Sequence, residues 1–512
     1  MQGSSDQNLE LLDAGGLVGH LVDDRSVYGF LATHRRRLFP DDMFTDLFVS
    51  NRGRPSVPGD VVATVMVLQS LEGLSDRDAV DSFRTDLKWK VACGVSLIDE
   101  GFHPTVLTLW RNRLRVSDSP ERIFDAVRAV VADTGVLGNK TCRALDSTLL
   151  DDAVATQDTV TQLVSVIRRV RKAVPAAAGV DVSAHDYEAG GKPSCAWDDP
   201  AARDELVTGL VTDALAILEV VDGVALDDDQ AALVGLLALV AGQDVEQGDE
   251  EGTWRIARCV SKDRVISTVD PETRHMHKSR SSYRDGYKAH IAIEPDTGVI
   301  TACALTPANI GDGPIGVDLL DGEDPGLTVL ADSGYASGPV RADLKDAKHV
   351  AVIKPLPLRR NPKLDADQYT RDDFTINYDQ RTVTCPNGAT VAINASGQAR
   401  FGARCRDCPV RSRCTTAVNG RDVNIGDHDE LLAQARAQWH NNDDDVGEYR
   451  QYRPMVERSI AWIVTNGHRR VRYRGIERNH IALSVRAAAI NLRRLVNLGI
   501  AWNPDGWVLH PG

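Results

Sequence analysis

The sequence predicts a mixed α/β core carrying helical additions, and three observations lead there. Short β-branched or leucine-rich runs are each closed by an aspartate, at Arg143-Ala-Leu-Asp146 and Val329-Leu-Ala-Asp332, the pattern of buried strands ending in an acid. Two alternating runs, Asp285-Gly-Tyr-Lys-Ala-His-Ile-Ala-Ile-Glu294 and Val299-Ile-Thr-Ala-Cys-Ala-Leu305, flank the turn Pro295-Asp-Thr-Gly298 and read as a β-hairpin. The remaining long stretches repeat apolar residues at helical spacing. A chain of 512 residues has ample core for roughly two to four folding units.

In chain order, residues 1–15 are polar and expected to be a flexible N-terminus. Residues 16–135 read as a helical domain. Within it, Gly59–Leu71 is a buried helix, and Ser75 is placed to cap the next one. Dimerisation or plain packing is what such a helical bundle suggests by itself. The core, residues 140–500, opens with a strand at Cys142–Leu149. A helix from about Val160 follows, with Leu163, Val166, Ile167 and Val170 on one face. Residues 175–252 are acidic and Ala/Leu-rich and interrupt the core as a helical insertion. After the hairpin come the strand to Asp332, a helix over Ser337–Lys345 and a strand at Val350–Lys354. Residues 356–428 form a second, cysteine-rich insertion. A helix bearing Glu457 closes the core, its buried stripe being Tyr449, Tyr452, Val456, Ile460 and Ile463; residues 501–512 are left as a tail.

A net charge of −14 looks wrong for a nucleic-acid binder, but it is unevenly spread. Residues 181–251 hold 18 Asp and Glu against only Lys192 and Arg203, so the rest of the chain is close to neutral. Residues 446–500 hold 11 Arg and 3 Glu. Phosphate attraction acts within a Debye length of about 8–10 Å, so local charge decides. The opening Met1-Gln-Gly-Ser-Ser-Asp has no signal-peptide pattern, and the most apolar helix, Ala231–Ala241, is about half the ~20 residues that span a bilayer. The expectation is a cytoplasmic, nucleoid-associated protein with no membrane partner. Nine cysteines, four of them clustered, fit a reducing compartment with one metal site better than a disulfide framework.

Asp146, Asp332 and Glu457 lie 186 and 125 residues apart, yet two strand-end aspartates and a helix-borne glutamate are the set that converges on a pair of divalent ions. Hard cations take such oxygen ligands from separate elements. Each acid has a plainer reading: a turn residue for the aspartates, an i,i+4 partner of Arg453 for Glu457.

The chain resembles the DDE transposases of bacterial insertion sequences, from about Phe39 to about Leu495. The resemblance rests on the three acidic motifs together with Asp270-Pro-Glu-Thr-Arg274, Gly286-Tyr-Lys-Ala-His290 and Thr306-Pro-Ala-Asn309 followed by Asp312. It also takes in Cys385-Pro-Asn-Gly388, Cys405-Arg-Asp-Cys408-Pro, Arg472-Tyr-Arg-Gly475 and Asn491-Leu-Arg-Arg-Leu495. It implies an RNase H-like core and a helical N-terminal domain that contacts DNA, in an enzyme that cleaves and joins DNA strands with Mg²⁺ or Mn²⁺. Asp146 would bridge both ions, and Asp332 and Glu457 would each help hold one. Double-stranded DNA, both element ends and target, is the implied partner, bound by a homodimer. A structure-directed nuclease, or a non-catalytic DNA-binding descendant, are the competing readings. Where the family often has Lys or Arg seven residues after this Glu, the chain has Val464.

Candidate DNA-contacting residues are Arg274, Lys278 and Lys288 near the hairpin, and Arg453, Arg469, Arg470, Arg472 and Arg474 on and after the Glu457 helix. Such contacts position DNA without reading its sequence. Cys385, Cys405, Cys408 and Cys414 put four thiolates within thirty residues, a set suited to structural Zn²⁺, with an iron–sulfur cluster or a metal-free thiol group as alternatives.

Overall fold

The computed structural model describes residues 1–510 apart from 6–10, 51, 260, 262, 280, 281 and 365. At its centre is a mixed six-stranded sheet of β1 (Cys142–Asp151), β2 (Arg274–Ser279), β3 (Ser282–Ile293), β4 (Ile300–Pro307), β5 (Thr328–Ala331) and β6 (Val350–Ile353). β3 lies antiparallel to β1 and forms the expected hairpin with β4, while β2 pairs with the outer half of β3. β5 runs parallel to β1, and β6 parallel to β5. The order β4-β3-β1-β5-β6 is the RNase H-like arrangement.

Both faces of the sheet are covered, and the short strands β5 and β6 read as near-continuous apolar runs. Ala144 and Leu150 of β1 face a large core that also contains the N-terminal helices and the closing helix Ile476–Asn497. Leu145 faces the other way, into a smaller core with Tyr335, Val340 and Leu344. The buried helix expected over Gly59–Leu71 spans Gly59–Glu72, and Ser75 caps Asp76–Thr85 in a full capping box.

Three expectations need correction. Asp146 is not at the end of its strand, because β1 runs on to Asp151 while antiparallel pairing with β3 continues from Asp146↔Ile291 to Asp151↔Gly286. The apolar run stops at Asp146 because the parallel partner stops there. The insertion expected from residue 175 begins earlier, because Leu163, Val166, Ile167 and Val170 of the helix Thr159–Ala173 are buried against Pro200–Val221 and Asp228–Gln243 in a core separate from that of the sheet. The C-terminal residues expected as a tail form a hairpin, Ile500–Asn503 with Gly506–Leu509, whose Trp507 packs near Phe30 and His34. The cysteine-rich segment has a small core of its own around Phe374, Val383 and Phe401.

Candidate active site

Asp146 reaches the site from the middle of β1, on the face that looks toward the helix Asp443–Val464. Asp332 follows β5 directly and caps a short turn, its carboxylate accepting the Gly334 N–H at 2.7 Å. Parallel pairing of Ala144 with Leu330 brings the two aspartates level across the sheet. Glu457 projects from the helix, whose expected stripe is kept: Val456 and Ile463 are buried, and Tyr449, Tyr452 and Ile460 pack partly into the core. Arg453 links the three. Its Nη2 is 3.0 Å from Asp146, its Nε 3.4 Å from Glu457, and Asp332 lies within electrostatic reach.

Burial raises the Asp146 carboxyl to about 6, against the opposing pull of Arg453 and of its bond from Ser147 N–H, with Asp332 and Asp312 adding repulsion. Asp312 is the acid that sequence reasoning left without a role, although it stood beside a motif that was noticed. Its Oδ1 accepts the Ser147 hydroxyl at 2.9 Å and the Lys288 ammonium at 2.9 Å. A Cβ on Gly334 would come within 3.1 Å of Asp312 and 2.9 Å of Asp332, so both carboxylates border the same turn.

Several motifs turn out to be architecture. Buried Asp270 accepts the Tyr287 hydroxyl at 2.7 Å and the Gly475 N–H at 3.2 Å, and Glu272 accepts the Ile476 N–H at 2.8 Å. Two acids thus cap the N-terminus of the closing helix, where backbone donors have no helical partner. Asn491, on that helix, bonds both the N–H and the C=O of Ile300 at 2.8 Å. Gly286 has φ 148°, and a Cβ there would lie 2.1 Å from the Leu150 carbonyl, so only glycine fits.

The basic residues are less available than expected. Lys288 is buried, its ammonium held by Asp312 and the Ile310 carbonyl. Arg469 donates to Thr148 Oγ1 and the Leu149 carbonyl, Arg470 to the Asp152 carbonyl, and Arg472 to the Gly73 and Leu74 carbonyls. These guanidiniums tie the segment after the helix to β1 and to the N-terminal helices. Arg274 donates to the Pro271 and Thr273 carbonyls. Arg474 is exposed, and the Lys278 side chain lies outside the described residues. Val464 packs against the large core, so its position is apolar for a structural reason.

Cys385, Cys405, Cys408 and Cys414 line one cavity of about 20 Å³. The Arg421 N–H points at Cys405 Sγ from 3.4 Å. Burial raises the Cys414 thiol, Arg421 opposes, and the three other thiols push it the same way as burial. Among the described residues, no three His, Cys, Asp or Glu side chains stand close enough together to hold an ion as they are placed.

Two family models match the chain: Transposase DDE domain over residues 259–492 and Transposase domain (DUF772) over residues 30–113. The chain belongs to the DDE transposases of the insertion-sequence type. The first match contains Asp332 and Glu457, whereas Asp146 lies outside both and is placed by its strand pairing. No curated protein and no solved structure matches the chain. As a transposase it is a DNA-binding protein of a polynucleotidyl-transferase type, in a family that generally uses a divalent cation such as Mg²⁺. No helix among the described residues is long and apolar enough to cross a membrane.

Proposed function

We propose that this transposase cleaves the DNA strands at the ends of its element and joins them to target DNA, with Asp146, Asp332 and Glu457 as the residues that hold two divalent cations. The observation that carries this reading is the gathering of the three acids around Arg453. The donor set fits the group: every donor is a carboxylate oxygen, as Mg²⁺ or Mn²⁺ requires, and one guanidinium leaves the acids short of positive charge. Bound cations would activate the attacking hydroxyl and relieve charge on the phosphate and the leaving oxygen.

The chain's own residues have distinct tasks. Asp146 and Asp332, on adjacent strands of a rigid sheet, fix the direction of approach. Glu457, its side chain 66% exposed on a helix, closes the site from the solvent side. Lys288 and Ser147 hold Asp312 in place beside the Asp332 turn. Arg474 is exposed and would meet phosphate, and the N-terminal helices would supply a second surface for duplex DNA. A homodimer on DNA would bring two such sites to the paired element ends.

The four cysteines form a structural Zn²⁺ site in this reading, supported by their common cavity and by the N–H aimed at Cys405. Exposed Arg404 and Arg406 flank it, while Arg411 and Arg413 are bonded back to the Cys405 and Asp367 carbonyls.

The test is a labelled duplex carrying the element's end, incubated with target DNA and Mg²⁺. Joined products support transposition. Cleaved strands without joining favour the nuclease reading, and intact DNA under all divalent cations rejects catalysis.

A further inference from the structure

Arg453 sits where a cation would be expected to sit. Helical spacing accounts for its contact with Glu457, one turn further on, because i,i+4 pairs meet on any helix. Nothing local accounts for its 3.0 Å contact with Asp146, which comes from a different element more than three hundred residues earlier in the chain. Asp332 is the third acid in its field. An arginine cannot shed its proton in a protein, so the charge it brings is fixed.

We infer that Arg453 is a resident stand-in for the cations: it fills the acidic site in the DNA-free protein and must swing out before the cations can load. The inference rests on the metal-site reading above. Its guanidinium lies between Asp146 and Glu457, ion-paired with both. A planar guanidinium keeps carboxylates apart, whereas a cation pair needs them drawn in around ions about 4 Å apart. Arg453 is also suited to leaving. Its side chain is 24% exposed and is carried by a helix at the edge of the site, so rotation about its side-chain bonds moves the guanidinium toward solvent without disturbing the sheet. Duplex DNA would offer it a phosphate as a replacement partner, a geometry that arginine matches with two parallel bonds. Cation loading would thereby be coupled to the presence of DNA, leaving the enzyme poorly loaded until a substrate arrives.

The experiment is Mn²⁺ binding by calorimetry on the full chain, with no readout of activity. Without DNA, Arg453→Ala and Arg453→Met should each bind Mn²⁺ about tenfold more tightly than the wild type, the effect of removing one competing charge-assisted contact. A short duplex of arbitrary sequence should tighten the wild type by a similar factor, after subtraction of Mn²⁺ bound by the duplex alone, and leave both variants nearly unchanged. Met keeps the apolar stem, so agreement between the two variants separates lost charge from lost packing. Variants that bind Mn²⁺ no more tightly than the wild type would overturn the inference while leaving the metal site standing. Asp332→Asn is the control: if it binds Mn²⁺ as the wild type does, the metal-site reading fails, and the role of Arg453 with it.

Discussion

Asp146 within β1 and Asp332 just past the end of the parallel β5 stand level, each two residues beyond the paired Ala144 and Leu330. Residues at the same level of neighbouring strands share a face, so sheet geometry alone brings together two carboxylates that are far apart in sequence. Burial is the main cause that raises the Asp146 carboxyl, and the alignment explains why Asp332 adds to it.

Asp146→Asn should therefore remove strand cleavage while preserving DNA binding. An amide is nearly the same shape, so the fold is kept, but it offers no anionic oxygen to a cation. We expect cleavage to drop by at least about 10²–10³-fold, the scale of losing one preorganised electrostatic group. Cleavage rate and duplex affinity measured on one preparation decide the matter; full activity in Mg²⁺ would sink the ligand assignment.

Arg469 and Arg470 should behave as structural residues. Each donates to a backbone carbonyl near the end of β1, so replacing both with Ala leaves acceptors unpaired at a junction. A stability loss of about 1–3 kcal/mol per arginine is expected in urea unfolding. The salt dependence of DNA binding should hardly change. Unaltered stability with a flattened salt slope would instead return these arginines to the DNA surface.

His468 gives a pH signature. Its ring donates to the Ser70 carbonyl at 2.8 Å, and burial, with Arg486 nearby, lowers its pKa to about 4. Because the folded value lies below the unfolded value of about 6.5, the unfolded chain takes up the proton first. The stabilisation is complete above pH 6.5 and is lost as pH falls toward 4, by about 3 kcal/mol at most. His468→Gln keeps a donor for Ser70 and does not titrate. The stability difference between wild type and variant, measured at pH 7.5 and 4.5, should shift in the variant's favour at the lower pH; a difference that stays constant would disprove the buried neutral imidazole.

The cysteine segment should contain one zinc per chain. Replacing Cys405 and Cys414 together with Ser should release the metal and lower the melting temperature of this segment, because both cysteines are buried in its small core. Metal analysis that finds neither zinc nor iron, with all four thiols freely alkylated, would end this assignment.

Much of the core was legible because its strands are short, apolar and punctuated by Gly, Pro and Asp. The Pro295-Asp-Thr-Gly298 turn fixes the hairpin, and the capping box at Ser75 marks a helix start. Other features were not legible, for reasons that lie in tertiary structure. The length of β1 is set by which partner strand continues beyond Asp146, and no pattern within β1 records that. The arginines after the Glu457 helix look like a DNA-facing run because composition cannot reveal that carbonyls wait opposite Arg469, Arg470 and Arg472. Asp312 was hidden by its position at the start of a seven-residue helix, where an acid is ordinary.

The closing helix Ile476–Asn497 is packed by the N-terminal helices on one side and by β4 on the other, within one continuous core. First and last segments of the chain are thus a single inheritance unit. A chimera that borrows the N-terminal helices of another transposase must borrow this helix too, or its two halves will meet along a surface that neither was selected to fit.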